Sequence, residues 1–154
     1  MANAFFEVPI AKNEPVMSYA PGSPERAALQ AKIKELKSQE ITVPMYINGE
    51  EVTTNDKVVI RPPHELKHTL GHFCKGDESH VNAAITAALD AKQAWENMPW
   101  QERAAIFLKA ADLLSGPYRD KINAATMLCQ SKNVYQAEID AVAELIDFLR
   151  FNVQ

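Results

Sequence analysis

Apolar and polar positions change their period twice along the 154 residues. Residues 1–22 show no period and carry Pro9, Pro15 and Pro21, so they read as an extended arm that needs a surface to lie against. In residues 23–40, Leu29, Ile33 and Leu36 recur at helical spacing. Ser23 offers a hydroxyl to the free N–H groups of a first turn, and Pro24 stands where its missing N–H costs nothing. One short amphipathic helix ending near Ser38 is predicted.

Residues 41–75 read as β. Val43, Met45 and Ile47 alternate and lead into Asn48-Gly49, a strong two-residue hairpin signal, and Val52 resumes beyond it. Val58 to Ile60 forms another β-rich run, stopped by Pro62-Pro63, and Thr69 to Cys74 can supply a fourth. Strands this few and short make no core of their own.

Residues 76–154 are helical by period, with four helices expected. The first, capped by Asp77 or Ser79, carries Val81, Ile85, Ala88 and Trp95 on one stripe and closes at Met98-Pro99. A second runs from about Gln101 to the Ser115-Gly116-Pro117 stop, and a third with Ile122, Ala125 and Leu128 reaches about Gln130. Asn133 and Gln136 form a capping pair for a fourth that continues through Ile139, Val142, Leu145, Ile146 and Leu149. The fold class is therefore α+β: an arm and short helix, a small antiparallel, hairpin-rich sheet, then about four helices. Trp95, Trp100, Phe107 and Cys129 are expected to be buried core.

Composition narrows the function classes. At 47% apolar and 23% charged the chain suits one globular domain. Its 16 basic and 20 acidic residues give a net charge of −4 with no basic patch, which excludes a phosphate-backbone binder as the expected role. No apolar run approaches the roughly 18 residues of a membrane span, because Glu144, Asp147 and Arg150 interrupt the most apolar stretch. Cys74 and Cys129 lie far apart and outside any C-x-x-C pair, so no disulfide framework is expected. Met1 to Ala11 hold one acidic and no basic residue, unlike a secretory or mitochondrial leader, which leaves a cytoplasmic location open.

His64-Glu65-Leu66-Lys67-His68 matches the H-E-x-x-H zinc-protease pattern. That pattern requires a helix to bring both imidazoles to one face, whereas Pro62-Pro63 precedes it and Gly71 follows soon after. A polar turn between strands is expected instead, and no metal site. The last helix holds a second constellation: Asp140, Glu144 and Asp147 at i, i+4 and i+7 share one face, with Glu138 nearby. Glu144 has Ala141 and Phe148 about one turn to either side and Phe151 beyond, so its carboxylate stands on a partly apolar stripe suited to a cationic ligand group. Periodicity alone favours a solvated face.

Residues Asn13 to Val16, Gly22 to Gln30, Ile106 to Pro117 and Gln136 to Asn152 resemble the N-terminal part of the delta-1-pyrroline-5-carboxylate dehydrogenases, the aldehyde dehydrogenase superfamily members of proline catabolism. The similarity runs from Asn13 onward through nearly the whole chain. It implies NAD-dependent oxidation of glutamate semialdehyde to glutamate, with mitochondrial location in eukaryotes. In that chemistry a cysteine thiolate attacks the aldehyde, hydride passes to nicotinamide, and a glutamate activates water against the thioester. By the resemblance those parts lie beyond Gln154, so the chain is expected to be a fragment that is inactive alone, binds no NAD and offers no nucleophile. Glu144 corresponds to a glutamate beside the substrate channel, where it would face the substrate's amino group. Cys129 stands where the family pattern has Gly. Expected partners are the semialdehyde, a second copy or full-length subunits; the alternative role is a non-catalytic interaction module that docks on such subunits.

Overall fold

The computed structural model describes residues 5–154, so the first four residues of the expected arm lie outside it. Beyond them residues 5–20 form neither helix nor strand, and Pro21-Gly22 is a turn. Helix α1 (Pro24–Lys37) begins as its sequence requires, with the Ser23 hydroxyl accepting from the Arg26 N–H, and it closes where the Ser38 N–H donates to the Glu35 carbonyl.

Five strands follow: β1 (Ile41–Val43), β2 (Met45–Ile47), β3 (Glu50–Val52), β4 (Lys57–Ile60) and β5 (Gly71–Cys74). Asn48 and Gly49 both adopt positive φ, 54° and 80°, which suits the tight turn pairing Met45 with Val52 and Ile47 with Glu50. The alternation of Val43, Met45 and Ile47 spans two strands, because Pro44 separates them. β1 leaves the hairpin and joins a three-stranded sheet in the order β1-β5-β4. That sheet is mixed: β4 and β5 are antiparallel as expected, but β1 runs parallel to β5, pairing Ile41 with Gly71 and Val43 with Phe73.

The helical half contains α2 (Glu78–Asn97), α3 (Trp100–Ser115), α4 (Arg119–Gln130), α5 (Val134–Ala137), a π-helical segment (Glu138–Ala143) and α6 (Glu144–Phe151). Asp77, not Ser79, caps α2, and its carboxyl is held well below the usual range by the bonds it accepts from Ser79 and His80. Asn133 and Gln136 form the expected reciprocal cap. The single fourth helix of the sequence pattern is one continuous run broken by a π turn. Cys129 sits within α4 with no positive φ, so the departure from Gly there costs nothing; the left-handed residue is Ser131, at φ 58°.

Burial concentrates in two clusters between helices. Tyr19, Leu29 and Ala124 join the arm, α1 and α4; Ala111, Val142 and Ile146 join α3 to the π segment and α6. Helix α2 buries no residue at all, and Val81, Ile85 and Leu89 are each more than half exposed. The expected core placement of the aromatics is corrected accordingly. Trp95 and Phe107 meet edge to face at 6.3 Å, yet both, with Trp100, remain exposed because the described residues leave most of α2 and the adjoining face of α3 uncovered. Cys129 is likewise exposed rather than buried, and nearby protein still removes enough water to push its thiol upward. Cys74 is buried.

Candidate functional site

Glu144 and Asp147 of the expected acidic face line one cavity, but the acidic residues near the chain's end differ in burial and partners. The Glu144 N–H donates to the Ile139 carbonyl, five residues back, so a π turn leads into Glu144. Each carboxylate then meets different company. Glu138 is 0% exposed, Asp140 accepts from Lys132 Nζ at 2.9 Å, and Asp147 accepts from Asn13 Nδ2 at 2.7 Å and from the Glu14 N–H at 2.6 Å. Glu144 is exposed and, among the described residues, alone of the four has no such partner. With Asp147, Phe148 and Phe151 it lines a shallow cavity of about 150 Å³. Two phenyl rings and an unpaired carboxylate suit an ammonium group, which is attracted by both the negative charge and the ring faces. Asp147 lines the same cavity, but its oxygens are already engaged by the arm.

Behind this face lies a buried polar cluster that sequence reasoning did not find. Arg119, only 4% exposed, donates to Glu14 Oε1 at 2.5 Å and to the Pro15 carbonyl at 2.8 Å, and also pairs with Glu138. Glu138 further accepts from the Met17 N–H at 2.9 Å, the Tyr19 hydroxyl at 2.9 Å and Asn123 Nδ2 at 2.7 Å. Arg150 completes the cluster by donating to Glu14 Oε2 at 2.7 Å. The signal available was a carboxylate, Glu138, just before the apolar positions Ile139 and Val142; nothing local named its partners up to 121 residues away.

These contacts shift protonation in opposite directions. Burial would raise the Glu138 carboxyl, but the donors from Arg119, Met17, Asn123 and Tyr19 outweigh it and hold it below the usual range. Tyr19 is pushed up to about 12, first by burial and then by its bond to the Glu138 carboxylate. A carboxyl whose folded value is depressed stabilises the fold above its unfolded value and loses that contribution as pH falls; a phenol whose folded value is raised stabilises below its unfolded value and loses that as pH climbs. Urea midpoints should therefore be level at neutral pH, fall below about pH 4 as Glu138 protonates, and fall again as pH rises from 10.0 to about 12. A Tyr19→Phe variant that kept the whole alkaline decline would contradict the second assignment.

His64 and His68 sit in the loop between β4 and β5, which contains turns and no helix. His64 Nδ1 is 2.8 Å from Ser131 Oγ, and Glu65 pairs with Lys37, whose hydrogen bond lowers its carboxyl. The two imidazoles thus do not share a helical face, and among the described residues no group of three or more metal-ligating side chains converges. No helix of the described residues is long and apolar enough to cross a membrane. Positive-φ glycines occur at Gly22, Gly49 and Gly71, in the arm's turn, the hairpin and a strand.

Comparison with known proteins identifies the family of the chain. The model of the aldehyde dehydrogenase family matches residues 50–154. The delta-1-pyrroline-5-carboxylate dehydrogenase of Agaricus bisporus is 56% identical over 151 residues, spanning 97% of this chain and 28% of that protein. The mitochondrial human enzyme of the same name is 51% identical over 142 residues, 92% of this chain and 25% of that protein. Among solved structures, the Mycobacterium tuberculosis delta-pyrroline-5-carboxylate dehydrogenase bound with NAD superposes with a TM-score of 0.95 at 48% identity, covering 99% of this chain and 29% of that one. The chain thus spans about a quarter of the length of the curated relatives it matches. Its helices and small sheets match the N-terminal portion of the fold seen in those enzymes.

Proposed function

Because the chain belongs to the aldehyde dehydrogenase family, we propose that it forms the N-terminal part of an NAD-dependent enzyme that oxidises glutamate semialdehyde, the open form of pyrroline-5-carboxylate, to glutamate. Its contribution is to recognise substrate. The observation that carries this is Glu144, an unpaired carboxylate that lines a cavity with Phe148 and Phe151, one and two turns on, directly after the π turn. A protonated amine placed there gains a charge-assisted hydrogen bond, worth roughly 1.5–3 kcal/mol, while Asp147 stays committed to the arm.

The reacting groups belong outside these 154 residues in this reading. Cys74 is buried and the Cys129 thiol is raised, so neither is poised as a thiolate nucleophile. NAD, which accepts the hydride in this chemistry, is assigned to the part of the enzyme beyond this chain. By analogy with the relatives named mitochondrial, the working location is the mitochondrial matrix.

A chimera tests the proposal: this chain replaces the matching segment of the Agaricus bisporus enzyme, and NADH formation from pyrroline-5-carboxylate is followed. The chimera should turn over and the 154-residue chain alone should not; turnover by the pure chain would refute the division of labour. In the chimera, Glu144→Gln should raise KM about ten- to a hundredfold with a much smaller change in kcat. A KM within twofold of the parent would remove Glu144 from the substrate site.

The exposed apolar residues of α2 and α3 favour a second reading, a module that docks on full-length subunits. Co-elution of the separate chain with the intact Agaricus bisporus enzyme, together with inhibition, is its expected signature. A chain that neither co-elutes nor inhibits rules it out.

A further inference from the structure

The arm and the helix it crosses are joined at two points that straddle Glu144. On the N-terminal side, the Met17 N–H and the Tyr19 hydroxyl donate to Glu138, the first residue of the π segment. Beyond Glu144, Asp147 accepts from Asn13 Nδ2 and the Glu14 N–H, while Arg150 donates to Glu14. Arg119 ties the two grips together, since it touches both Glu138 and Glu14. Between them the Glu144 N–H makes the five-residue bond to Ile139 that defines the π turn.

A π turn is rare because it gives up the better-packed four-residue bond, so something must hold it open. Here the helix is pinned at Glu138 by a carboxylate that is fully buried and at Asp147 by one gripped from the arm. Relaxation to a regular helix would rotate everything beyond the π segment relative to Glu138, and one of the two grips would have to let go. We propose that arm residues Asn13 to Tyr19 act as a positioning clamp: by holding Glu138 and Asp147 at a fixed separation, they maintain the π turn and set where Glu144 stands on the cavity it lines with Phe148 and Phe151. Glu14 is the central positioning residue, because among the described residues it alone of the arm's side chains pairs with both Arg119 and Arg150. The clamp also commits Asp147, leaving Glu144 as the cavity's free carboxylate. This inference rests on the reading of Glu144 as the residue that meets substrate.

The test joins kinetics in the chimera with amide exchange, read on both the chimera and the 154-residue chain. Glu14→Gln should raise KM for the semialdehyde about tenfold with kcat within about twofold, and amides from Ile139 to Asp147 should exchange about tenfold faster. In a Glu144→Gln background the same substitution should add nothing further to KM, because the residue it positions is already disabled. Asn13→Ala, which removes a single exposed bond to Asp147, should do the same to a smaller extent and serves if Glu14→Gln does not fold. A KM rise that multiplies with that of Glu144→Gln, or unaltered exchange across the π segment, overturns the clamp while leaving Glu144 in the site. If Glu144→Gln itself leaves KM unchanged, the substrate reading falls and the positioning role falls with it, and exchange alone decides whether the arm holds the π turn.

Discussion

Arg119→Met is expected to cost about 3–5 kcal/mol of folding stability, the range for removing one partner of a buried ion pair. The guanidinium is 4% exposed and stands between Glu138, which has no solvent contact, and the Glu14 side chain, which is 8% exposed. Methionine fills much of the volume but leaves a carboxylate in the interior with only neutral donors, Asn123, Tyr19 and the Met17 N–H. Glu14 retains Arg150, so the loss falls mainly on Glu138. Against a typical stability of roughly 5–15 kcal/mol the change is large, and a urea midpoint measures it directly. The double variant Arg119→Met, Glu138→Leu should recover much of the loss, since no lone charge remains to be buried. A single variant within about 1 kcal/mol of the parent would mean the pair behaves as a surface contact.

The other large effect is expected at Gly71. This residue opens β5 directly opposite Ile41 of the parallel strand β1, at φ 147°, where side chains are rarely tolerated. A Cβ built there would lie 2.0 Å from the Ile41 carbonyl oxygen and 2.7 Å from its nitrogen. Both obstacles are backbone, so no rotamer change relieves them; β1 must move away from β5. Gly71→Ala should therefore cost about 2–6 kcal/mol, combining backbone strain with overpacking, and β1 amides should lose exchange protection before those of β4. Gly49→Ala is the matching control, because that position also has a positive φ, 80°, but open space around the new carbon. It should cost only about 1–2 kcal/mol. Equal losses at the two sites would show that φ strain, not the approach of Ile41, requires glycine at 71.

Much of the local architecture was legible in the residues. Ser23-Pro24, Asn48-Gly49 and the Asn133 and Gln136 pair act within four positions of themselves, and each produced the helix start or turn that its hydrogen-bonding groups demand. The loop character of His64 to His68 followed from Pro62-Pro63 in the same way. The resemblance, too, was correct about the family. Errors arose wherever a residue's setting depended on distant chain. Trp95, Trp100 and Phe107 have the composition of core, but hydrophobic burial requires a facing surface, and the described residues supply only part of one. The π turn cannot be seen in a 3.6-residue period, and the acidic stripe did not tell which of its carboxylates would be paired.

The division has a physical basis. By itself the sequence determined the α+β order of elements, their caps and turns, and the presence of an acidic, partly aromatic last helix, because these follow from bonds closed over a few residues. Only the tertiary structure decided which carboxylate is buried, which is held and which is free. That choice depends on bringing Glu14 within reach of Arg119, 105 residues away, and Asn13 within reach of Asp147, 134 residues away. A buried charge is tolerated only where its counterion arrives, and that arrival is a property of the folded chain.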